Sequence, residues 1–430
     1  MTSVKLGIRN LARNRWRSGL TLAAIAVAVG LMVWTIAMYE GWITQMVRGA
    51  TAVEIAQVQV QTAGYVESSR IYESFPLTNE MVAEIRGVSG VVALSPRIKA
   101  NGLLGNEQRS QVVRLLGVDP AMEAATTPVR DGLIEGRWLA DEPAADPAPR
   151  EVVVGSGVAQ QLRVGIGDEL VAILEAADGS LGNDLFVVVG VVRTGNTAID
   201  RMAAYLHLTD AQFITALDGQ VHEISVATAD LTAARATADS VAQAIGAVAI
   251  ATDDAATMDE DQIVVRPWQE IVPAIDQMIL LFRRSYWFMY LVLYLIAAIG
   301  ILNTQRMSAL ERRREFGVMM AIGMRPRRMF GTLQVETTVL GMLGALVGAV
   351  LGGLLSWYHA TVGLNLSMFT DSGSFSYMGV AFSDRLMFEL APHMVIQPVL
   401  VMIGVALVSG LLPAWKSARI DPAPTISGRV

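Results

Sequence analysis

The chain has no cysteine among its 430 residues. Disulfides, thiolate metal sites, a cysteine nucleophile and thiol lipidation are therefore excluded. Histidine is almost as scarce: His207, His222, His359 and His393 are scattered, and no two have ligand spacing. No metal site is expected. Lysine is nearly missing too, with Lys5, Lys99 and Lys416 the only three beside 30 arginines. A phosphate-cradling G-x-x-x-x-G-K-[ST] loop needs its lysine. The nearest approach, Gly410 to Ser417, has Trp415 in place of the second glycine and ends an apolar run. No nucleotide is expected on this chain by that route. Charge is also short: 17% of residues are charged against 53% hydrophobic, where a soluble domain carries about 25%.

The missing charge is concentrated in four windows. Gly19–Tyr39, Ser285–Thr304, Thr337–Tyr358 and Val395–Trp415 contain no charged residue, and each has the roughly 20 apolar residues that a membrane-crossing helix needs. The expected fold class is membrane α-helical, with four transmembrane helices, plus an α+β extracytoplasmic domain. Its parts are a segment 1–18, spans at 19–39, 285–304, 337–358 and 395–415, a domain with helical stalks at 40–284, loops at 305–336 and 359–394, and a tail at 416–430.

Basic flanks orient the spans. Fifteen Lys and Arg residues lie before the first span, between the second and third, and after the fourth, against Glu311, Glu315, Glu336 and Asp421. The remainder holds 18 basic and 36 acidic residues. Both termini and the 305–336 loop are thus expected in the cytoplasm, and the large domain outside. Tyr39, Trp42, Tyr286, Trp287, Trp357 and Tyr358 gather at the outer ends and Trp415 at an inner end, as aromatic belts do. The first span reads as an uncleaved signal-anchor, because it is long for a signal peptide and Ala37-Met38-Tyr39 is no small-x-small cleavage site.

The external domain has two textures. Residues 50–130 mix strands with a helix that Thr78 can cap and Gly87 ends; strands are expected at Val91–Val92, Val112–Leu116 and 223–227, and Asp230 heads an alanine-rich helix to Ile245. Glu151–Gly155, Glu169–Leu174 and Phe186–Val192 are β-rich and broken by glycines, which suggests a small β-rich subdomain inserted over about 140–220 in a larger part. No nucleophile signature such as G-x-S-x-G occurs there, and no catalytic residue is expected. The acidic stretches near 141–146 and 253–261 are expected to be solvated surface.

Three segments resemble the MacB/FtsX-like permeases of ABC transporters, with a pattern most like the lipoprotein-releasing Lol-type members. They are LGIRNLARNRWRSGLT at Leu6–Thr21, MSALERRREFGVMMAIGM at Met307–Met324, and GLLPAWKSARIDP at Gly410–Pro422. Gly64-Tyr65, Glu151–Gly155, Gly167-Asp168 and Val189–Gly195 extend the resemblance through the external domain. It implies a porter-like part beside the small β-rich one in the external domain, and a permease of a bacterial inner membrane without its own ATPase site, with ATP and magnesium on a separate ABC ATPase present in two copies. It also implies a second permease copy or paralogue, and membrane lipid and a periplasmic lipoprotein carrier as further partners; nucleic acid is not among them.

Read by residues alone, Ala309–Gly323 is a short amphipathic helix whose apolar face is Phe316, Met319 and Met320, closed by Gly323 and Pro326. It could simply lie at the headgroups. By resemblance it is the coupling helix, with Glu311, Arg312, Arg314, Glu315, Phe316, Gly317, Met320 and Gly323 at the ATPase contact. A substrate groove is expected from Met38, Trp42 and Met46 leaving the first span and Met278, Phe282 and Trp287 entering the second. Helix-to-helix packing accounts for the same spacing. Gly341, Gly344, Gly348 and Gly352 share one face of the third span, as close helix packing requires. Glu336, at that span's inner edge, is expected to snorkel or to pair with a nearby arginine.

Overall fold

A computed structural model describes residues 15–51, 55–144, 148–250, 252–366, 376–377, 380–381 and 385–420. The resemblance at residues 6–14 and at 421–422 lies outside the described residues. The chain divides into two compact units, one built of residues 1–43, 279–369 and 384–430, the other of 44–278 and 370–383.

Helices longer than one turn are α1 (Arg15–Thr51), α2 (Ala63–Ser68), α3 (Asn79–Gly87), α4 (Pro120–Thr126), α5 (Ser156–Leu162), α6 (Leu208–Thr215), α7 (Ala234–Ala244), α8 (Pro273–Glu311), α9 (Arg313–Ala321), α10 (Pro326–Val362) and α11 (Pro392–Ser417). Four of them, α1, α8, α10 and α11, are long and apolar enough to cross a membrane. Each contains one of the four charge-free windows and runs beyond it.

In the membrane unit, Ile25, Val29 and Val33 of α1, Ala297 and Ile301 of α8, Ala345 and Ala349 of α10, and Met402 and Ala406 of α11 form the core. The glycine face of α10 sets how closely the helices approach. A Cβ on Gly352 would lie 2.5 Å from the Gly30 carbonyl oxygen, and one on Gly344 would lie 2.8 Å from Ile25 Cβ. Backbone therefore rests on backbone, which gives dispersion contacts that lipid cannot match. Two polar links reinforce the bundle: Thr21 Oγ1 and Thr304 Oγ1 are 2.7 Å apart, and Gln334 Nε2 donates to the Leu407 carbonyl at 2.6 Å.

The external unit carries strands β1 (Val58–Thr62), β2 (Phe75–Pro76), β3 (Val91–Gly105), β4 (Ser110–Val118), β5 (Leu133–Gly136), β6 (Arg150–Gly155), β7 (Glu169–Glu175), β8 (Leu181–Val192), β9 (Ala203–His207), β10 (Gln220–Val221), β11 (Glu223–Thr228), β12 (Val248–Ala249) and β13 (Ile263–Pro267). All but β2 and β10 join one sheet in the order β12-β13-β1-β11-β3-β4-β9-β6-β8-β5, with β7 bridging β3 and β8. That bridge closes a ring: β3-β4-β9-β6-β8-β7 and back to β3. Leu170, Ala172 and Leu174 of β7, Phe186 and Val188 of β8, Val152 and Val154 of β6, and Leu104 of β3 fill its interior. Alternate residues of β7 are buried and exposed, the period of a strand with one face inward.

The β-rich part is thus a small barrel, but it is not confined to residues 140–220. Two of its six staves, β3 and β4, come from the 91–118 hairpin. Closing the ring requires a strand long enough to serve both structures, and β3 has 15 residues. Its first half pairs with β11 and its second with β7. The expected strands at Val91–Val92 and Val112–Leu116 are parts of this longer hairpin. Thr78 caps α3 as expected, accepting from the Met81 N–H at 3.2 Å. Asp230 does not head α7 directly, because a short 3-10 turn at Leu231–Ala233 intervenes.

In the open part of the sheet, cross-strand pairs put Val58 beside Val226 and Val60 beside Ile224, and Gln59 beside Ser225 and Arg266. One face is therefore apolar and the other polar. The polar face holds a buried ion cluster. Arg97 of β3 donates through Nε and Nη2 to Glu123 of α4 at 2.9 and 2.7 Å, and its Nη1 lies 3.4 Å from Glu223 of β11. Lys99 Nζ lies 2.8 Å from Glu223, which also accepts from Gln61 and Ser225. Burial by itself would raise Glu223, but Lys99 and Arg97 outweigh it and hold the carboxyl below the usual range.

His222 stacks on Tyr65 with ring centroids 5.0 Å apart. Its Nδ1 accepts the Lys99 N–H at 3.0 Å, so Nε2 carries the hydrogen toward the Ile71 carbonyl at 2.7 Å. Burial lowers its pKa, partly opposed by Ile71 and Glu223. The folded state keeps this ring neutral, while the unfolded chain takes up a proton near pH ~6.5. Its contribution is therefore complete above about pH 6.5 and is lost as pH falls below that value. Thermal melts of the full chain should show a midpoint that drops between about pH 7 and about pH 5. In His222→Asn that drop should be smaller; an unchanged slope would remove His222 as its source.

Candidate functional site

The stretch expected as a single helix over Ala309–Gly323 is divided between the end of α8 and a separate helix. Residues 309–311 complete α8, Arg312 leaves helical geometry at φ −95° and ψ 11°, and α9 covers Arg313–Ala321. The residue at the break, Arg312, is engaged by two carboxylates. Arg312 reaches across to α10, where its Nη1 lies 3.1 Å from Glu336 Oε2, and its Nε donates to Glu315 at 3.2 Å. The Arg312 guanidinium also sits 5.2 Å from the Phe316 ring. Glu336 has a side-chain exposure of 7%. It is paired with an arginine, one of the two outcomes expected for it.

After α9 the chain turns at Gly323, whose φ of +101° disfavours any residue with a Cβ, and enters α10 at Pro326. Phe316 packs with Met329 and Leu333 of α10 and Ala414 of α11, with Met319 and Met320 partly buried beside it. The apolar face of α9 is thus turned into its own bundle. Phe316 and Gly317, two of the residues expected at an ATPase contact, are buried against the chain's own helices. Glu311, Arg314 and Gly323 are exposed, and Arg312, Glu315 and Met320 are half-exposed. Val318 and Ile322, the latter 81% exposed, are outward apolar residues that the sequence reading missed. Their spacing of four from each other, out of phase with Phe316, was the available signal.

The six expected groove residues are not brought to one open surface. Met38 and Trp42 pack with Ala37, Leu386 and Phe388, where the chain between α10 and α11 returns to α1. Trp42 also meets Phe282 edge-on, with centroids 4.8 Å apart. Met46 is fully buried and Met278 half-buried. These five sit in packing environments. Trp287 differs: it is 66% exposed. With Leu291, Leu295 and Ile299 it forms an exposed apolar strip along α8 at helical spacing, flanked by Phe288, Val292 and Ile296. Only 11% of the most apolar stretch of α8 is buried, the lowest share of the four membrane-length helices. Among the described residues, no group of acidic or histidine side chains could hold a metal ion.

A bundle of membrane-length apolar helices, continuous in sequence with a large α/β domain, defines this chain as a membrane protein with a periplasmic-type domain. Residues 18–244 match the MacB-like periplasmic core domain and residues 287–422 the FtsX-like permease C-terminal domain. The chain belongs to the family that joins these two domains, the ABC transporter permeases of the LolC, MacB and FtsX type. It is 22% identical to the lipoprotein-releasing system transmembrane protein LolC of Neisseria meningitidis serogroup B, over 98% of each chain. It is 24% identical to the macrolide export ATP-binding/permease protein MacB of Hyphomonas neptunium, over 99% of this chain and 60% of that one. Among solved structures, the periplasmic region of MacB from Actinobacillus actinomycetemcomitans aligns with 55% of the chain and 98% of its own at 14% identity and a TM-score of 0.36.

Proposed function

We propose that the chain is the permease subunit of an ABC transporter that extracts lipoproteins, or similarly amphipathic molecules, from the outer leaflet of a bacterial inner membrane, driven by ATP hydrolysis on a separate subunit. The observation that carries this reading is the exposed apolar strip from Trp287 to Ile299 along α8. An acyl chain can lie there without meeting water. The energetics call for such a surface. Each buried methylene contributes about 0.8 kcal/mol, so a triacyl anchor of roughly 40 methylenes would cost about 30 kcal/mol to expose. Extraction must shield the chains continuously and draw on ATP.

In this reading both termini and the α8–α10 connection lie in the cytoplasm, the large domain lies in the periplasm, and the strips of two permease copies or paralogues face each other. The ABC ATPase, in two copies carrying ATP and magnesium, docks on the outward side of α9, at Arg314, Glu315, Val318 and Ile322. The Arg312–Glu336 pair would then transmit its movement to α10. A periplasmic carrier receives the lipoprotein. The full-length likeness to a lipoprotein-releasing transmembrane protein favours this substrate. The likeness to a macrolide export protein keeps a second reading in play, in which the domain couples ATP hydrolysis to a periplasmic substrate bound for an outer-membrane duct. An FtsX-like regulator of a periplasmic partner is the third.

Photo-crosslinkers at positions 287 and 291 of the assembled transporter should capture a lipoprotein, and ATP should release it. Capture of only the partner permease while the transporter is active would reject the strip as a substrate surface and favour the export reading. Glu315→Arg should reduce ATPase co-purification at least tenfold while leaving membrane insertion intact, since a reversed charge at a docked contact costs several kcal/mol. Retention of the ATPase at the original level would reject α9 as its docking site. A cysteine at position 178 should react with an impermeant maleimide without inner-membrane lysis, whereas one at position 318 should not. Equal labelling would reject the orientation.

A further inference from the structure

At the basic end of the membrane unit, a groove of about 260 Å³ opens between the end of α8 and the end of α11. Arg306 and Arg313 line it from one side and Lys416 from the other, over a floor that includes Leu310, Pro413 and Ile420. Among the described residues, Glu315 and Glu336 are both engaged by Arg312. Among the described residues, Arg306, Arg313 and Lys416 make no ion pair. Three cations thus converge on an apolar floor, and among the described residues none of them is paired with an acid.

The surface running from the groove into the membrane is apolar. On α11, Val408, Leu411, Leu412 and Trp415 are exposed in one stripe at helical spacing, and Met307 and Leu310 are exposed on α8. Trp415 stands at the junction with the Arg419 guanidinium 4.0 Å from its ring. An amphipathic aromatic capped by a cation belongs at headgroup depth. A ligand that fits must be anionic at one end, with a head of groove size, and carry long apolar tails that continue down the stripe.

We propose that this groove binds the phosphate-bearing head of an anionic glycerophospholipid, with the acyl chains lying along the α11 stripe. The phosphodiester lies among Arg306, Arg313 and Lys416, and its glycerol backbone rests on Leu310 and Pro413. The lipid would then wedge the ends of α8 and α11 together beside the buried Phe316 contact that holds α9. The site requires only that α8 and α11 cross a membrane, and it is independent of the transported substrate.

The test uses the full chain in nanodiscs of phosphatidylcholine and phosphatidylglycerol, released into the gas phase for native mass spectrometry. The wild type should retain phosphatidylglycerol in preference to phosphatidylcholine. A basic residue near an anionic lipid surface contributes about fivefold. The triple variant R306Q/R313Q/K416Q should therefore lose roughly a hundredfold of that preference, and Lys416→Gln about fivefold. R283Q/R284Q, at the start of α8 and outside the groove, should keep it. The single variant keeps the test valid if the triple variant fails to fold. Wild-type preference in Lys416→Gln and in a folded triple variant would overturn the proposal. So would displacement of phosphatidylglycerol by inorganic phosphate, which would mark a general anion site. Loss of ATPase association with lipid preference intact would overturn it as well, by making the groove a protein-docking surface.

Discussion

Arg97→Met should destabilise the external domain by about 3–5 kcal/mol, the range for removing one partner from a buried ion pair. Arg97 is 1% exposed, as is Glu123, and Glu223 is 0% exposed. Removing the guanidinium leaves two carboxylates in the sheet with one less cation between them, and methionine fills the volume without a donor. Much of the loss is the desolvation of those carboxylates. Denaturant titration of the full chain in detergent, followed by Trp138 and Trp268 fluorescence, measures the change. The quadruple replacement R97M/K99M/E123L/E223L should recover much of the stability, because an apolar cluster of similar volume can replace a buried ionic one. A loss under about 1 kcal/mol in Arg97→Met would show that water reaches the cluster and that it is not closed.

Gly352→Leu should disrupt the membrane bundle, while Gly353→Leu, one residue away, should leave it intact. At position 352 even a Cβ would lie 2.5 Å from the Gly30 carbonyl oxygen, whereas at 353 nothing lies within 4 Å. The Gly30 obstacle is backbone on a neighbouring helix and cannot rotate aside. The helices must separate, losing the contacts between Ile25, Val29 and Ala345 as well. Overpacking of a tight core costs about 1–3 kcal/mol, and backbone-to-backbone contact belongs at the upper end. Thermal aggregation of the detergent-solubilised chain should begin at a lower temperature in Gly352→Leu and be unchanged in Gly353→Leu. Equal behaviour of the two variants would refute the α1–α10 contact.

Which features were readable in advance follows a physical rule. The four apolar windows were legible because lipid solvation acts on each residue separately and requires a run of fixed length. The α10 glycine face was legible because helical periodicity is local. Thr78 was legible as a cap because capping involves residues three positions apart. The closed barrel was not. It depends on β7 pairing at once with β3 and with β8, and no local pattern in residues 169–175 names both neighbours. Arg97 and Glu123 face each other across 26 residues and Arg97 and Glu223 across 126, so their burial as a cluster had no sequence signal beyond three charged residues in a β-rich stretch.

The same distinction separates the candidate sites. Composition excluded thiol chemistry, and the arginine excess of the short loops led to the expectation that they share one side, since both depend only on which residues are present and how far they lie from a span. The amphipathic character of residues 313–321 was also in the sequence, but the direction of its apolar face was not. A helix with an apolar stripe can offer it to a partner or bury it at home. Here Arg312, held by Glu336 of α10, and Phe316, packed against Leu333 and Ala414, turned that stripe inward and left Val318 and Ile322 outside. Likewise, periodicity gave Trp42, Phe282 and Trp287 equal standing, and only the packing of neighbouring chain separated them: Trp42 and Phe282 found each other, and Trp287 was left open. The sequence by itself determined which segments meet lipid and which meet water, because that partition is a sum over individual residues. The tertiary structure decided which apolar faces are already covered, because coverage depends on neighbours distant in the chain.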